Sequence, residues 1–186
     1  MRRTMQALIL IDIQNDYFLG GSMELHGSDA AARNAALLLN AFRRARRPVF
    51  HVQHISLAAT ATFFLPGTTG ALIHNSVAPL EGETVVEKHF PNAFRDTPLL
   101  GLLQAQGITR LALAGMMTHM CVDTTTRAAF DLGFTCRLAH DACATRDLAH
   151  NGSTVCAADV QTAYMAALGQ VFAQVQSTQE LCAVLG

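Results

Sequence analysis

Apolar residues along this chain fall into short runs separated by helical patterns. The runs at 6–12 (QALILID), 48–54 (PVFHVQH), 84–88 (TVVEK), 110–115 (RLALAG), 134–140 (FTCRLAH) and 170–175 (QVFAQV) have the length of strands. Most are nearly continuous in apolar residues, the pattern of parallel strands buried on both faces. Amphipathic spacing predicts helices over 28–46, 96–106, 119–132 and 154–168, with a short one over 178–185. Ser28-Asp29 reads as a cap for the first helix, and Ser153 or Thr154 as a cap for the fourth. Gly107 and Gly133 close two others.

This alternation predicts one doubly wound α/β domain over residues 1–186. In such sheets the ligand crevice lies beyond the carboxyl ends of the strands. Segment 56–82 breaks the alternation with Phe63, Phe64, Pro66, Gly67 and Gly70. Connections of that length often serve as lids.

Composition narrows the class. The chain has 186 residues, enough for one domain with a sizeable core. It is 51% hydrophobic and only 15% charged, so part of its apolar surface is expected to lie between subunits. A formal charge of −1 leaves no basic excess for nucleic acid or an anionic membrane. The one basic cluster, Arg43-Arg44 with Arg46-Arg47, falls near the end of a predicted helix, where it complements the dipole. Five cysteines at uneven spacings form no CxxC pair and no zinc-like pattern, and an odd count points to reduced thiols in a cytoplasm. The start, Met1 to Gln6, lacks a signal core, and no run reaches the ~18 apolar residues of a membrane span.

Three strand ends carry chemistry. The first strand ends in Asp12, the third in Lys88, and the fourth leads into "GMMTHMC", which holds Cys121. In a parallel sheet all three point into one crevice. Thiolate is the reactive form of cysteine, and a nearby Lys or a helix N-terminus favours it. A carboxylate can take the thiol proton and return it to a leaving group. Each residue also has a plainer reading: Asp12 as a turn residue, Lys88 as a solvated strand end, Cys121 as a small core residue. Their joint placement at one edge favours the chemical one.

"LILIDIQNDYF" around Asp12, "VVEKHFPNAF" around Lys88 and "AGMMTHMCVDTTTRAAFDLGF" around Cys121 resemble the isochorismatase-like cysteine hydrolases. That family includes nicotinamidases and N-carbamoylsarcosine amidase, and the match in order and spacing runs from about residue 6 to 175. The resemblance implies a Rossmann-like α/β/α fold in three layers with a six-stranded, mostly parallel sheet. It implies an Asp-Lys-Cys triad at Asp12, Lys88 and Cys121, and a cis peptide between Met116 and Met117. It further implies an oxyanion hole from the Met117 and Cys121 amides. The implied reaction is hydrolysis of a C–N bond in a small amide or carbamoyl compound, by a homodimer or homotetramer.

One departure bears on metals. Nicotinamidases of this family carry an Asp-x-His motif after strand two, whereas this chain reads His51-Val52-Gln53-His54. Residues 51 and 54 face opposite sides of a strand, so no metal or other cofactor is expected. His54 lies at the strand's carboxyl end and is the better pocket residue. Phe18, Phe63, Phe64, Phe90, Phe94 and His119 are the other pocket candidates. Asn15, Asp16, Thr118 and Asp141 read as tethers and caps, and Cys136, Cys143, Cys156 and Cys182 as core or loop thiols. Few charges occur in these loops, which suggests a small, mostly neutral substrate. A thiol redox protein and a non-catalytic binding protein on the same fold are the competing readings.

Overall fold

Strand β1 (Met5–Ile11) is buried along nearly its whole length and forms the middle of the sheet in a computed structural model that describes residues 5–185. Around it lie β2 (Val49–His54), β3 (Thr84–Lys88), β4 (Ile108–Met116), β5 (Thr135–Ala144) and the short β8 (Gln174–Gln176). The order is β3-β2-β1-β4-β5-β8, and every pairing is parallel. Helices α1 (Ser28–Arg44), α2 (Leu99–Ala105), α3 (Asp123–Asp131), α4 (Ala157–Val171) and α5 (Thr178–Ala183) complete the chain. The buried apolar side chains form two clusters, one around Leu8, Leu38 and Phe42, the other around Ile9, Phe50 and Leu113. Leu8 and Ile9 point to opposite faces, as successive residues of a strand buried on both sides must.

The strand order reverses between β1 and β4, because the chain first winds outward through β2 and β3 and then returns. In parallel sheets a switch point of this kind is where ligands bind, beyond the carboxyl ends of the strands. Two backbones approach closely there. A Cβ on Gly115 of β4 would overlap the carbonyl oxygen of Ile11 in β1, and Gly115 has φ of +141°.

Several boundaries differ from the sequence expectation, for local reasons. Apolar residues 170–175 were expected as a strand, but α4 runs on to Val171 and only Gln174–Gln176 pairs with β5. A short apolar run does not separate a buried helix end from a strand. Ser153 and Thr154 do not cap α4. They belong to β7 (Ser153–Val155), which forms a hairpin with β6 (Leu148–His150), and Asp147 Oδ1 accepts the Ala157 N–H of α4 at 2.8 Å instead. Gly27 at φ +73°, not Ser28-Asp29, stands at the cap of α1. Helix α2 starts at Leu99 rather than 96, since Pro98 disfavours helical backbone at Thr97 before it. Residues 118–122 form a π-helical turn ahead of α3.

Segment 56–82 is laced down rather than free. Phe64 N–H donates to Asp16 Oδ2 at 2.6 Å, His74 N–H to the Ile13 carbonyl at 2.8 Å, and Asn15 N–H to the Leu72 carbonyl at 3.0 Å. Its far end is pinned by Glu83. Arg43 grips that carboxylate through Nε and Nη2, each at 2.7 Å, and His51 Nε2 lies 2.9 Å away. Burial alone would raise the Glu83 pKa, but Arg43, the Leu80 N–H and His51 bring it down to about 2.

Three outcomes follow from this packing. Gly115→Ala forces β1 and β4 apart and should cost roughly 3–5 kcal/mol in denaturant unfolding. Gly101→Ala, inside α2 with open space around it, should instead gain about 0.5–1 kcal/mol. A carboxylate held low when folded contributes its stability above its unfolded pKa and loses it as pH falls. The Glu83 contribution is therefore full above about pH 4.5 and is lost toward pH 2, and acid unfolding of Glu83→Gln should lack that window.

Candidate active site

Asp12 follows directly after β1. Its φ is +51°, a left-handed conformation uncommon outside glycine, and its N–H donates to the Val52 carbonyl at 3.0 Å. The carboxylate is fully buried. Lys88 is the last residue of β3 and pairs in register with His54 at the end of β2. Its side chain crosses below the end of β2 to reach the switch point. Cys121 arrives from β4 through the π-helical turn and is 5% exposed. The peptide between Met116 and Met117 is cis. Thr118 braces the turn by donating to the Ala144 carbonyl, while Gln161 Oε1 lies 2.6 Å from its hydroxyl.

The structure brings these side chains together around one ammonium. Lys88 Nζ lies 2.7 Å from Asp12 Oδ2 as an ion pair. It donates to His54 Nδ1 at 2.7 Å and to Cys121 Sγ at 3.3 Å. Asp12 Oδ1 has no hydrogen-bond partner among the described residues, so the carboxylate keeps one oxygen able to accept a proton. Burial lowers the Lys88 pKa, but Asp12 and Cys121 outweigh it and the net direction is up. Burial and the Lys88 charge together push His54 down to about 4.

The thiol runs against the sequence expectation. Lys88 does favour thiolate, but burial and the Asp12 charge act more strongly the other way, and the Cys121 pKa is raised. The resting site therefore holds a neutral thiol, a carboxylate and an ammonium, with a neutral imidazole beside them. Sequence shows which charge stands near a thiol but not how dry the thiol is, and here dryness decides the sign.

The aromatic candidates divide. Phe63 and Phe64 pack at 4.9 Å, Phe64 lies 5.9 Å from the His54 ring, and both meet Tyr17. Phe18 stacks on His74 at 3.8 Å, Phe90 lies under the Arg95 guanidinium, and Phe94 faces Phe134. Those three are spoken for elsewhere. Tyr17 takes the place expected of Phe18: it is 1% exposed, and burial with Cys121 and Asp12 nearby holds its phenol well above the ordinary value. The 3-10 turn at Asn15–Tyr17 turns Tyr17 inward, a rotation no spacing rule shows. His119 is half-buried, with Nδ1 2.6 Å from Thr145 Oγ1.

A cation of the protein's own already stands at this centre. Ligand atoms of Asp12, His54 and Cys121 lie within 4.8 Å of one another, a set that suits zinc by type. The Lys88 ammonium already stands among them. His51 is on the other side, buried against Glu83. The residues present do not fit a metal.

The fold and this cluster set a thiol, a carboxylate and an ammonium together at the switch point of a parallel sheet. A family profile described as "Isochorismatase domain" matches residues 6–180, and the chain belongs to that family of hydrolases. It is 51% identical over 173 residues to the uncharacterized isochorismatase family protein YddQ of Bacillus subtilis (strain 168), covering 93% of this chain and 96% of that one. Identity to a streptothricin hydrolase of Streptomyces noursei is 37% over 143 residues, covering 77% of this chain and 51% of that protein. The crystal structure of an isochorismatase hydrolase from Oleispira antarctica superposes with a TM-score of 0.94 at 52% identity, covering 98% of each chain.

Lys88→Ala vacates the cation position and leaves three metal-type ligands behind. Dialysed against zinc, this variant should retain about one equivalent by elemental analysis while the wild type retains none. Stoichiometric zinc in the wild type would contradict the account.

Proposed function

We propose that the protein hydrolyses a C–N bond of a small amide or carbamoyl compound through a Cys121 thioester. One observation carries this reading: a dry ammonium held between a buried carboxylate and a buried thiol. The arrangement keeps Asp12 charged beside a neutral nucleophile. The relatives include a streptothricin hydrolase, and this supports an amide-type substrate.

The reaction runs in two stages, acylation of Cys121 and hydrolysis of the thioester. Asp12 takes the Cys121 proton as sulfur attacks the carbonyl carbon, forming the S–C bond. The Met117 and Cys121 amides hold the developing oxyanion. The C–N bond then breaks, and the amine leaves with the proton from Asp12. Asp12 next takes a proton from water, whose oxygen attacks the thioester. The C–S bond breaks, and sulfur recovers the proton. Lys88 stays protonated throughout and offsets the charge that moves between Asp12 and Cys121. Tyr17, Phe63 and Phe64 supply an apolar wall suited to a small, mostly neutral substrate. We place the enzyme as a homodimer or homotetramer, consistent with exposed apolar residues such as Leu19 and Leu57.

His54 is not the base of a Cys-His pair, because its Nδ1 is occupied by the Lys88 ammonium. Redox use of Cys121 is disfavoured, because all five cysteines are free and the groups around its sulfur are Asp12 and Lys88 rather than a second thiol.

Ammonia release from a panel of small primary amides and ureido acids tests the reading. Cys121→Ala and Asp12→Asn should each lower turnover by about 10³-fold or more. No release from any amide, or equal release from Cys121→Ala, would sink it.

A further inference from the structure

His54 belongs to none of the three roles above, yet it makes one of the shortest contacts in the site. Lys88 Nζ has three hydrogens, and three groups surround it: Asp12 Oδ2 at 2.7 Å, His54 Nδ1 at 2.7 Å and Cys121 Sγ at 3.3 Å. An ammonium has no lone pair, so Nδ1 is necessarily the acceptor. The imidazole is then neutral and carries its proton on Nε2. Protonating Nδ1 would set two cations 2.7 Å apart and remove the bond.

We propose that His54 is a positioning residue for Lys88: its Nδ1 lone pair captures the third ammonium proton and holds Nζ between Asp12 and Cys121. The proposal rests on the hydrolase reading for its kinetic consequence but not for its geometry. Without this acceptor, a buried ammonium has a proton unpaired and the long Lys88 stem has no fixed rotamer. The ion would then drift from the place where it balances charge moving between carboxylate and thiol. His54 is itself held. The Lys88 and His54 backbones pair across β3 and β2, its N–H donates to Gln14 Oε1 at 2.7 Å, and Phe64 stands beside its ring. The charged or titratable groups acting on it are Lys88, Asp12 and His89. Its pKa of about 4 agrees with an imidazole kept as an acceptor.

Tautomer and kinetics give separate readouts. The first is nitrogen-15 NMR of the histidine rings in the wild type, with the His54 signals assigned by their loss in His54→Asn. His54 should remain neutral to pH 5 with Nε2 protonated. A ring that titrates near pH 6.5, or carries its proton on Nδ1, overturns the proposal. The second is turnover of an amide substrate. The Asn amide oxygen occupies nearly the position of Nδ1, whereas Leu offers no acceptor and the Gln amide reaches the position of Nε2. His54→Leu and His54→Gln should lose about 10- to 100-fold in kcat with KM within about threefold, and His54→Asn should recover most of it. Equal kcat in the Leu and Asn variants overturns the proposal. If the wild type hydrolyses no amide, the hydrolase reading alone fails, and the tautomer still decides the role of His54.

Discussion

The buried ammonium of Lys88 is the constraint around which the rest of the site is arranged. An isolated charge of this kind in a dry interior is prohibitively costly, and it survives only with close partners on every side. Asp12, His54 and Cys121 are those partners, and they come from β1, β2 and the turn after β4. Lys88 itself comes from β3, at the sheet edge. Four neighbouring strands must therefore end at the same height for the ion to be satisfied. Removing one partner of such a buried pair typically costs about 3–5 kcal/mol, so the cluster is a structural keystone as well as a reactive centre.

In the proposed reaction, the same charge arithmetic lets the thiol rest neutral and still serve as a nucleophile. With Asp12 negative, Lys88 positive, and His54 and Cys121 neutral, the resting cluster has no net charge. Moving one proton from Cys121 to Asp12 keeps that total at zero, because the negative charge only changes place within the reach of one fixed cation. Burial raises the cost of a free thiolate, yet it lowers nothing about this transfer, since both ends are equally dry. In that reaction a carbonyl docked against sulfur would accept the charge as it appears. Permanent ionisation of the thiol is therefore unnecessary, and a buried neutral thiol is protected from adventitious oxidation.

Much of this was legible in the sequence. Continuous apolar runs marked the parallel strands, and Asp12, Lys88 and Cys121 stood out because each falls where such a strand ends. His54 stood out because it lies at the carboxyl end of its strand, and the alternation of side chains separates it from His51, which meets Glu83. What sequence could not show depends on tertiary dryness and on local turns. The direction of the Cys121 shift reversed because burial is a property of the fold. Tyr17 and Phe18 are adjacent aromatics, and only the 3-10 turn that carries them decides which faces the thiol. The β6–β7 hairpin left no periodic signal, since three-residue strands are too short to show alternation.

In the proposed enzyme, specificity would come from the loops, because the cluster itself has little freedom to vary. The loop after β1 and segment 56–82 are fastened to each other by main-chain bonds and by the Asp16 carboxylate, which accepts the Phe64 and Ser22 amides. Gly70 and Gly21 pack so closely on residue 16 that a Cβ on either would overlap it. This tether fixes the backbone that carries Phe63 and Phe64 relative to the turn that carries Tyr17. The aromatic wall is thus set by contacts at Asp16 rather than at the ammonium cluster, so the wall can differ in shape while the cluster stays the same. That division, a fixed ion and a wall anchored at Asp16, lets one chemistry serve substrates of different outline.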